Sequence, residues 1–252
     1  MQEQVLFHGK SDYHEITIFD TDELDGMKGR FRVMQFASQA SQGAIDLDDP
    51  SRILFEYPQA IIHLIEHNAP AFERIFAIGH GAGTLSRYFS ARGIQIAELD
   101  PLVLRLSREY FGYDADSVIV GDGRKLLEHQ PSGELDYIIL DAFNEQGTPA
   151  HLVTSEFFAL ASAKLNANGA IILNVTGRSG NDRLLSAVAE TLNNAFPFTK
   201  IFSLKSDQSG DPTNFILAGS KQPLFCQARR MAGFSETRLP AGYVLRDGQQ
   251  RA

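Results

Sequence analysis

Residues 74–100 read RIFAIGHGAGTLSRYFSARGIQIAELD, and the order of residue types in this stretch decides the fold. Ile75-Phe76-Ala77-Ile78 is an uninterrupted apolar run, the pattern of a parallel strand buried on both faces. Gly79, Gly81 and Gly83 follow at alternate positions. Without a Cβ they allow a tight turn and let a ligand come close to the main chain. Thr84 to Arg92 has helical character with Leu85, Tyr88 and Phe89 on one side, Gly93 stops it, and Ile94-Gln95-Ile96-Ala97 makes a second strand. Glu98 closes that strand about 20 residues after the first glycine, where nucleotide-binding folds place the acid that holds ribose hydroxyls. The loop is G-x-G-x-G, not the G-x-G-x-x-G of a dinucleotide site. The spacing therefore points away from NAD and towards an adenosine ligand without a pyrophosphate, such as an S-adenosyl sulfonium compound.

Downstream, strands and helices alternate. Pro101 starts an amphipathic helix over Leu102 to Phe111. A third strand, Ser117 to Val120, ends in Gly121-Asp122-Gly123, and a fourth, Leu135 to Leu140, ends in Asp141. The pattern predicts a helix from Ser155 to Leu165, a fifth strand from Ala170 to Val175 and a helix over 181–196. The last two strands are expected at Thr199 to Leu204 and Asn214 to Ala218. Such alternation implies an α/β architecture with a mostly parallel sheet and helices on both faces, whose ligands sit at the carboxyl ends of the strands. Glu98, Asp122 and Asp141 all fall at strand ends, three acids along one rim.

Upstream the periodicity changes. Glu15 to Phe19 and Phe31 to Phe36 alternate around Asp25-Gly26 and Lys28-Gly29, which reads as an antiparallel hairpin or small sheet, and Gln42 to Leu47 reads as a further strand. Asp48-Asp49-Pro50-Ser51 is expected to cap a helix running to Asn68, with Ile53, Leu54, Tyr57, Ile61, Ile62 and Ile65 on its apolar face. The chain thus divides into an N-terminal β region (1–50), an α/β nucleoside-binding domain (51–222) and a C-terminal extension (223–252) without clear periodicity.

The 252 residues, 43% hydrophobic and 21% charged, suffice for one sizeable α/β domain. A formal net charge of -8 argues against a nucleic-acid partner, which calls for clustered lysine and arginine. The single cysteine, Cys226, excludes an internal disulfide and reads as a packing residue in a reducing compartment. No apolar run reaches membrane-spanning length and the N-terminus lacks the apolar core of a signal peptide, so a cytoplasmic location is expected. His63 and His67 stand a helical turn apart, but no third ligand accompanies them, and no metal is expected.

Taken together, the glycine loop, Glu98-Leu99-Asp100, Gly121-Asp122-Gly123, Asp141, Ser11-Asp12-Tyr13-His14 and Phe55-Glu56-Tyr57 make the chain resemble the spermidine synthases, or polyamine aminopropyltransferases. The resemblance implies a Rossmann-like fold of the methyltransferase type with a small N-terminal β region. It also implies transfer of the aminopropyl group of decarboxylated S-adenosylmethionine, a co-substrate and not a tightly bound cofactor, to an amine such as putrescine. Glu98 would hold the ribose and Asp122, beside Gly123, the adenine amine. Asp141 would help deprotonate the attacking amine, and Tyr57, Tyr13, His14 and Asn144 would border the acceptor channel. A homodimer or tetramer is the assembly implied.

The chain departs from the family pattern at Ala82, where an aspartate usually holds the cationic tail of the donor, at Asn144, usually a second aspartate, and at His14, usually a glutamine. The nucleoside half of the motif set is intact and the polyamine half is altered. Two other readings stay open: a methyltransferase using S-adenosylmethionine, and a nucleoside-binding protein without catalysis. Four local roles are expected as well. Asp100 caps a helix, His80 touches the ligand tail or faces solvent, Phe157 and Phe158 pack a helix, and Asn144-Glu145-Gln146-Gly147 is a loop able to close over substrate.

Overall fold

The computed structural model describes residues 3–36, 41–144, 147–178, 182–204 and 212–248, without the side chains of 41 and 42. Strands β1 (Gln4–Lys10), β2 (Glu15–Leu24), β3 (Met27–Phe36) and β4 (Ser41–Asp46) form a four-stranded antiparallel sheet in sequential order. The hairpin between β2 and β3 turns at Asp25-Gly26, both at positive φ. β1 has no counterpart in the sequence reading. It is an edge strand with half-exposed residues, so its sequence shows no clean alternation.

Helix α1 (Glu56–Asn68) begins later than the Ser51 start expected from its capping residues. The acids of that segment bond their own neighbours instead: Asp46 accepts the main-chain N–H of Asp48 and Asp49, and Asp49 that of Ser51. These local turns compete with helix for the same donors. Beyond α1 come β5 (Arg74–Ile78), α2 (Thr84–Tyr88), β6 (Gly93–Glu98), α3 (Pro101–Phe111), β7 (Val118–Val120), α4 (Gly123–Glu128) and β8 (Leu135–Leu140). They are followed by α5 (Ser155–Lys164), β9 (Leu165–Arg178), α6 (Arg183–Ala195), β10 (Phe198–Ser203), β11 (Pro212–Ser220) and β12 (Ser235–Glu236). The six-residue helix α4 has no counterpart in the sequence reading.

The eight-stranded sheet has the order β12-β10-β11-β9-β8-β5-β6-β7. Strands β5 to β9 pair in parallel, whereas β11 runs against both β9 and β10, inserted between them. Alternate residues of one strand serve opposite faces. Phe76 and Ile78 enter the core with α5 and α6, while Ile75 and Ala77 enter the core with α1 and α2. Burial on both faces is why Ile75 to Ile78 of β5 and Tyr137 to Leu140 of β8 carry no charged residue. Phe157 and Phe158 belong to the first of these cores.

A third core joins the small sheet to the glycine loop and α3 of the α/β part, with Ile16, Ile18, Met34 and Ile45 against Ala82, Val103, Leu106 and Phe111. Arg32 crosses the same boundary, paired with Asp20 at 2.7 Å and donating to the Tyr110 carbonyl. The C-terminal extension, though without clear periodicity, packs onto the α/β part. Leu224, Met231 and Phe234 are buried, β12 pairs with β10, and the Gln227 main chain donates to His63 Nε2. No described helix is long and apolar enough to cross a membrane.

Candidate active site

Gly79, Glu98, Gly121 and Asp141 each follow or end a parallel strand, so the sheet delivers them to one edge. Hydrogen bonds tie these positions together beyond the strand ends: Gly79 N to Ala97 O, Gly121 N to Glu98 O, and Asp141 N to Ile78 O. Gly79 sits at φ 101°, and a Cβ there would strike the Asp141 carbonyl oxygen. This position therefore excludes every other residue. Together these elements wall a cavity of about 750 Å³.

The glycine loop, β6 and β7 form one half. The Glu98 carboxylate accepts the main-chain N–H of His80 and of Asp100, each at 2.9 Å, with a further main-chain bond from Gly81. Burial raises its pKa, and these donors oppose the rise. Gly83 starts helix α2 at φ 82° and is not part of the cavity wall, so the alternation of glycines serves the turn as much as the ligand. Of the two expectations for His80, the solvent-facing one is corrected, while the residue remains in the cavity wall. Its ring is buried edge-on to Tyr113, with Nε2 2.8 Å from the Ser107 hydroxyl. Burial, then Arg87 and Arg108, lower its pKa to about 4, which keeps the imidazole neutral. Ala82 is 3% exposed and packs on Gly43 of β4 while still lining the cavity.

Asp122 caps α4 through Lys125 N and lies 3.1 Å from His151 Nε2. His151, on a short 3-10 turn lining the cavity, carried no signal in the sequence. Its carbonyl accepts from Arg124, whose guanidinium forks onto Asp247 at 2.8 and 2.7 Å, and Asp247 also accepts from Thr154. The C-terminal segment thus fastens the loop that carries His151.

The other half surrounds Asp141. Its Oδ1 accepts from Asn174 Nδ2 at 2.9 Å, and the Tyr57 hydroxyl bonds the same carboxylate. Enclosure raises the Asp141 pKa to about 6, against the opposing pull of these two donors. Burial, then the neighbouring Asp141, push the Tyr57 hydroxyl well above its ordinary value. Tyr13 and His14 reach the cavity from the loop between β1 and β2. Ser11 holds that loop by accepting their main-chain N–H groups and donating to Asp100, the N-cap of α3. The His14 ring stacks on Phe36 at 4.2 Å. Asn144 lines the rim and closes a turn with Gly147 through two main-chain hydrogen bonds; Glu145 and Gln146 of the expected loop lie outside the described residues.

Asn174 and Asn214 were missed by the sequence reading. An asparagine within the apolar run Ala170 to Val175 was the available signal for the first. For the second there was none, because the insertion of β11 beside β9 is a property of the whole sheet. Among the described residues no cluster able to hold a metal ion is found.

The cavity brings together every expected site residue except Gly83, and its titratable lining is acidic or histidine and tyrosine, with no lysine or arginine among the described residues. A mostly parallel sheet with β11 reversed beside β9, a glycine loop after its first strand and an acid ending the second define a Rossmann-like fold of the methyltransferase type. The spermine/spermidine synthase domain profile matches residues 54–205, more than half of the chain, and the chain belongs to that family. The polyamine aminopropyltransferase of Vibrio vulnificus is 28% identical over 191 residues, covering 71% of this chain and 61% of its own length. Putrescine N-methyltransferase 1 of Nicotiana tabacum is 27% identical over 180 residues, 67% of this chain and 44% of its own. The chain therefore spans about half the length of the curated relatives it matches. A crystal structure of a probable spermidine synthase from Corynebacterium glutamicum superposes with a TM-score of 0.75 at 25% identity, covering 87% of this chain and 81% of the other.

Proposed function

We propose that the protein is a transferase that moves the aminopropyl group of decarboxylated S-adenosylmethionine to an amine. The observation that carries this is the cavity's charge: Glu98, Asp122 and Asp141 line it, and no described lysine or arginine does. A sulfonium donor bearing an ammonium is doubly cationic and suits such walls, whereas the carboxylate of intact S-adenosylmethionine meets no lysine or arginine among the described residues of the wall. In this reading Glu98 takes the ribose hydroxyls, Asp122 the adenine amine, and Gly79, Gly81 and Gly123 let the nucleoside lie close to the main chain. The acceptor enters past Tyr13, His14, Tyr57 and Asn144.

The reaction needs a neutral amine in line with the carbon attached to sulfur. The amine's lone pair forms the C–N bond while the C–S bond breaks, and its electron pair stays on sulfur, giving neutral methylthioadenosine. The proton released from nitrogen passes to the Asp141 carboxylate, positioned as a general base. With Ala82 and Asn144 in place of acids, putrescine is one candidate among amines.

Ala82 favours a second reading, methyl transfer from S-adenosylmethionine, because an acid at that position would repel the donor's carboxylate. Incubation with each donor and a panel of mono- and diamines, followed by mass analysis, separates the two. Methylthioadenosine with an aminopropylated amine is the expected result; S-adenosylhomocysteine with a methylated amine would replace the first reading by the second. Loss of product in Asp141→Asn by a factor of about 100 or more is expected if Asp141 is the base.

A further inference from the structure

Asp141 is held by a chain of amides that begins two strands away. Asn174, 1% exposed, interrupts the apolar sequence of β9 and turns to the face opposite its neighbours Leu173 and Val175, which lie in the core with α5 and α6. Across the ladder its partner is Ile216, so Asn214, two residues along β11, lies diagonally on the same face. Asn214 Nδ2 donates to Asn174 Oδ1 at 2.8 Å, and Asn174 Nδ2 donates to Asp141 Oδ1 at 2.9 Å. An ionised carboxylate only accepts, so Asn174 must present its NH2 to Asp141, which turns its oxygen to Asn214. A buried amide with no partner is costly, and here each asparagine satisfies the next.

We propose that Asn214 and Asn174 form a two-amide relay that positions the Asp141 carboxylate and keeps it a proton acceptor facing the cavity. Both are positioning residues; neither touches substrate in this arrangement. Among the groups facing Asp141, α1 contributes Tyr57 and β9 contributes Asn174, and no charged side chain enters its balance. The remaining titratable groups of the cavity wall are Tyr13, His14, His80, Glu98, Asp122 and His151. With no cation among the described residues to hold Asp141 ionised, hydrogen-bond donation from Asn174 and Tyr57 opposes its burial. Asn214 acts by fixing which end of Asn174 faces the carboxylate.

The consequence for catalysis rests on the base role proposed for Asp141, but the relay itself is measurable without turnover. Carboxyl 13C resonances of the ligand-free protein are titrated, that of Asp141 being assigned by its absence in Asp141→Asn. In the native protein Asp141 is expected to titrate near 6. Asn174→Ala should move it upward by about one pH unit, and Asn214→Ala in the same direction by a smaller step. In the double variant Asn214→Ala should add nothing, because its effect passes through Asn174. An unchanged Asp141 titration in Asn214→Ala, or a shift adding in full to that of Asn174→Ala, overturns the relay. Should Asn174→Ala fail to fold, the half-buried Asn214→Ala decides alone. Absence of aminopropyl transfer would end the functional reading and leave this result standing, and the reverse also holds.

Discussion

Asp141 combines a raised pKa of about 6 with a place on the wall of an acidic cavity, and both stability and activity should register it. A carboxyl whose folded pKa lies above its unfolded value stabilises the fold at low pH, and this contribution is lost as pH rises through the folded pKa. For Asp141 the window runs from about 4 to about 6, so at pH 8 the ionised group costs up to about 3 kcal/mol. Asp141→Asn is therefore expected to raise Tm measured at pH 8 and to leave it nearly unchanged at pH 4. A lower Tm at pH 8 would contradict the burial argument. Activity has the opposite slope. Only the ionised form accepts a proton, so kcat/KM for the donor should fall as pH drops through about 6, read from initial rates at subsaturating donor. At Ala82, packed on Gly43, an added carboxylate has room only towards the cavity. Ala82→Asp should strengthen binding of decarboxylated S-adenosylmethionine relative to S-adenosylmethionine; loss of binding to both would mean that β4 cannot yield.

At the scale of elements, the C-terminal segment and the loop after β8 act as one. Asp247 receives the Arg124 fork and the Thr154 hydroxyl, and Arg124 reaches the His151 carbonyl beside Asp122. Asp247→Ala is expected to lower stability by about 1 kcal/mol, since the pair is partly exposed, yet to weaken methylthioadenosine binding several-fold by freeing this wall. Calorimetry on the variant checks both, and unchanged affinity would reduce the latch to a surface contact. The sequence reveals some of these elements and hides others for physical reasons. Ile75 to Ile78 and Tyr137 to Leu140 are legible because burial on both faces writes an uncharged, mostly apolar run, and Asp141 follows the second as Glu98 ends β6. Asp100 was legible as a helix cap because Pro101 follows it. The late start of α1 was hidden because Asp46 and Asp49 bind their own neighbours with the chemistry of a helix cap. Asn214, His151 and Asp247 act through tertiary contacts between segments distant in sequence, which no local pattern records.

At the scale of the molecule, the core between the two sheets decides whether the acceptor side and the nucleoside side form one unit. Ile16, Met34, Val103, Leu106 and Phe111 are all 2% exposed or less, and Ala82 of the glycine loop belongs to the same cluster. Leu106→Ala should cost about 2–5 kcal/mol, seen as a lower urea midpoint with a single transition preserved. Separate transitions for the two sheets would show that they are independent units. Tyr13 and His14 depend on that core and on Ser11 bound to Asp100 for their place at the cavity, so the small sheet completes a site that the large sheet supplies with acids. The claim on which all of this converges is that the cavity binds an adenosyl sulfonium donor lacking a carboxylate. Isothermal titration with decarboxylated S-adenosylmethionine, S-adenosylmethionine and methylthioadenosine puts that claim to one measurement. We expect binding of the first and third, with the decarboxylated donor preferred over S-adenosylmethionine and both lost in Glu98→Ala. Preference for S-adenosylmethionine would move the reading to methyl transfer, and no heat with any of the three would contradict the nucleoside site itself.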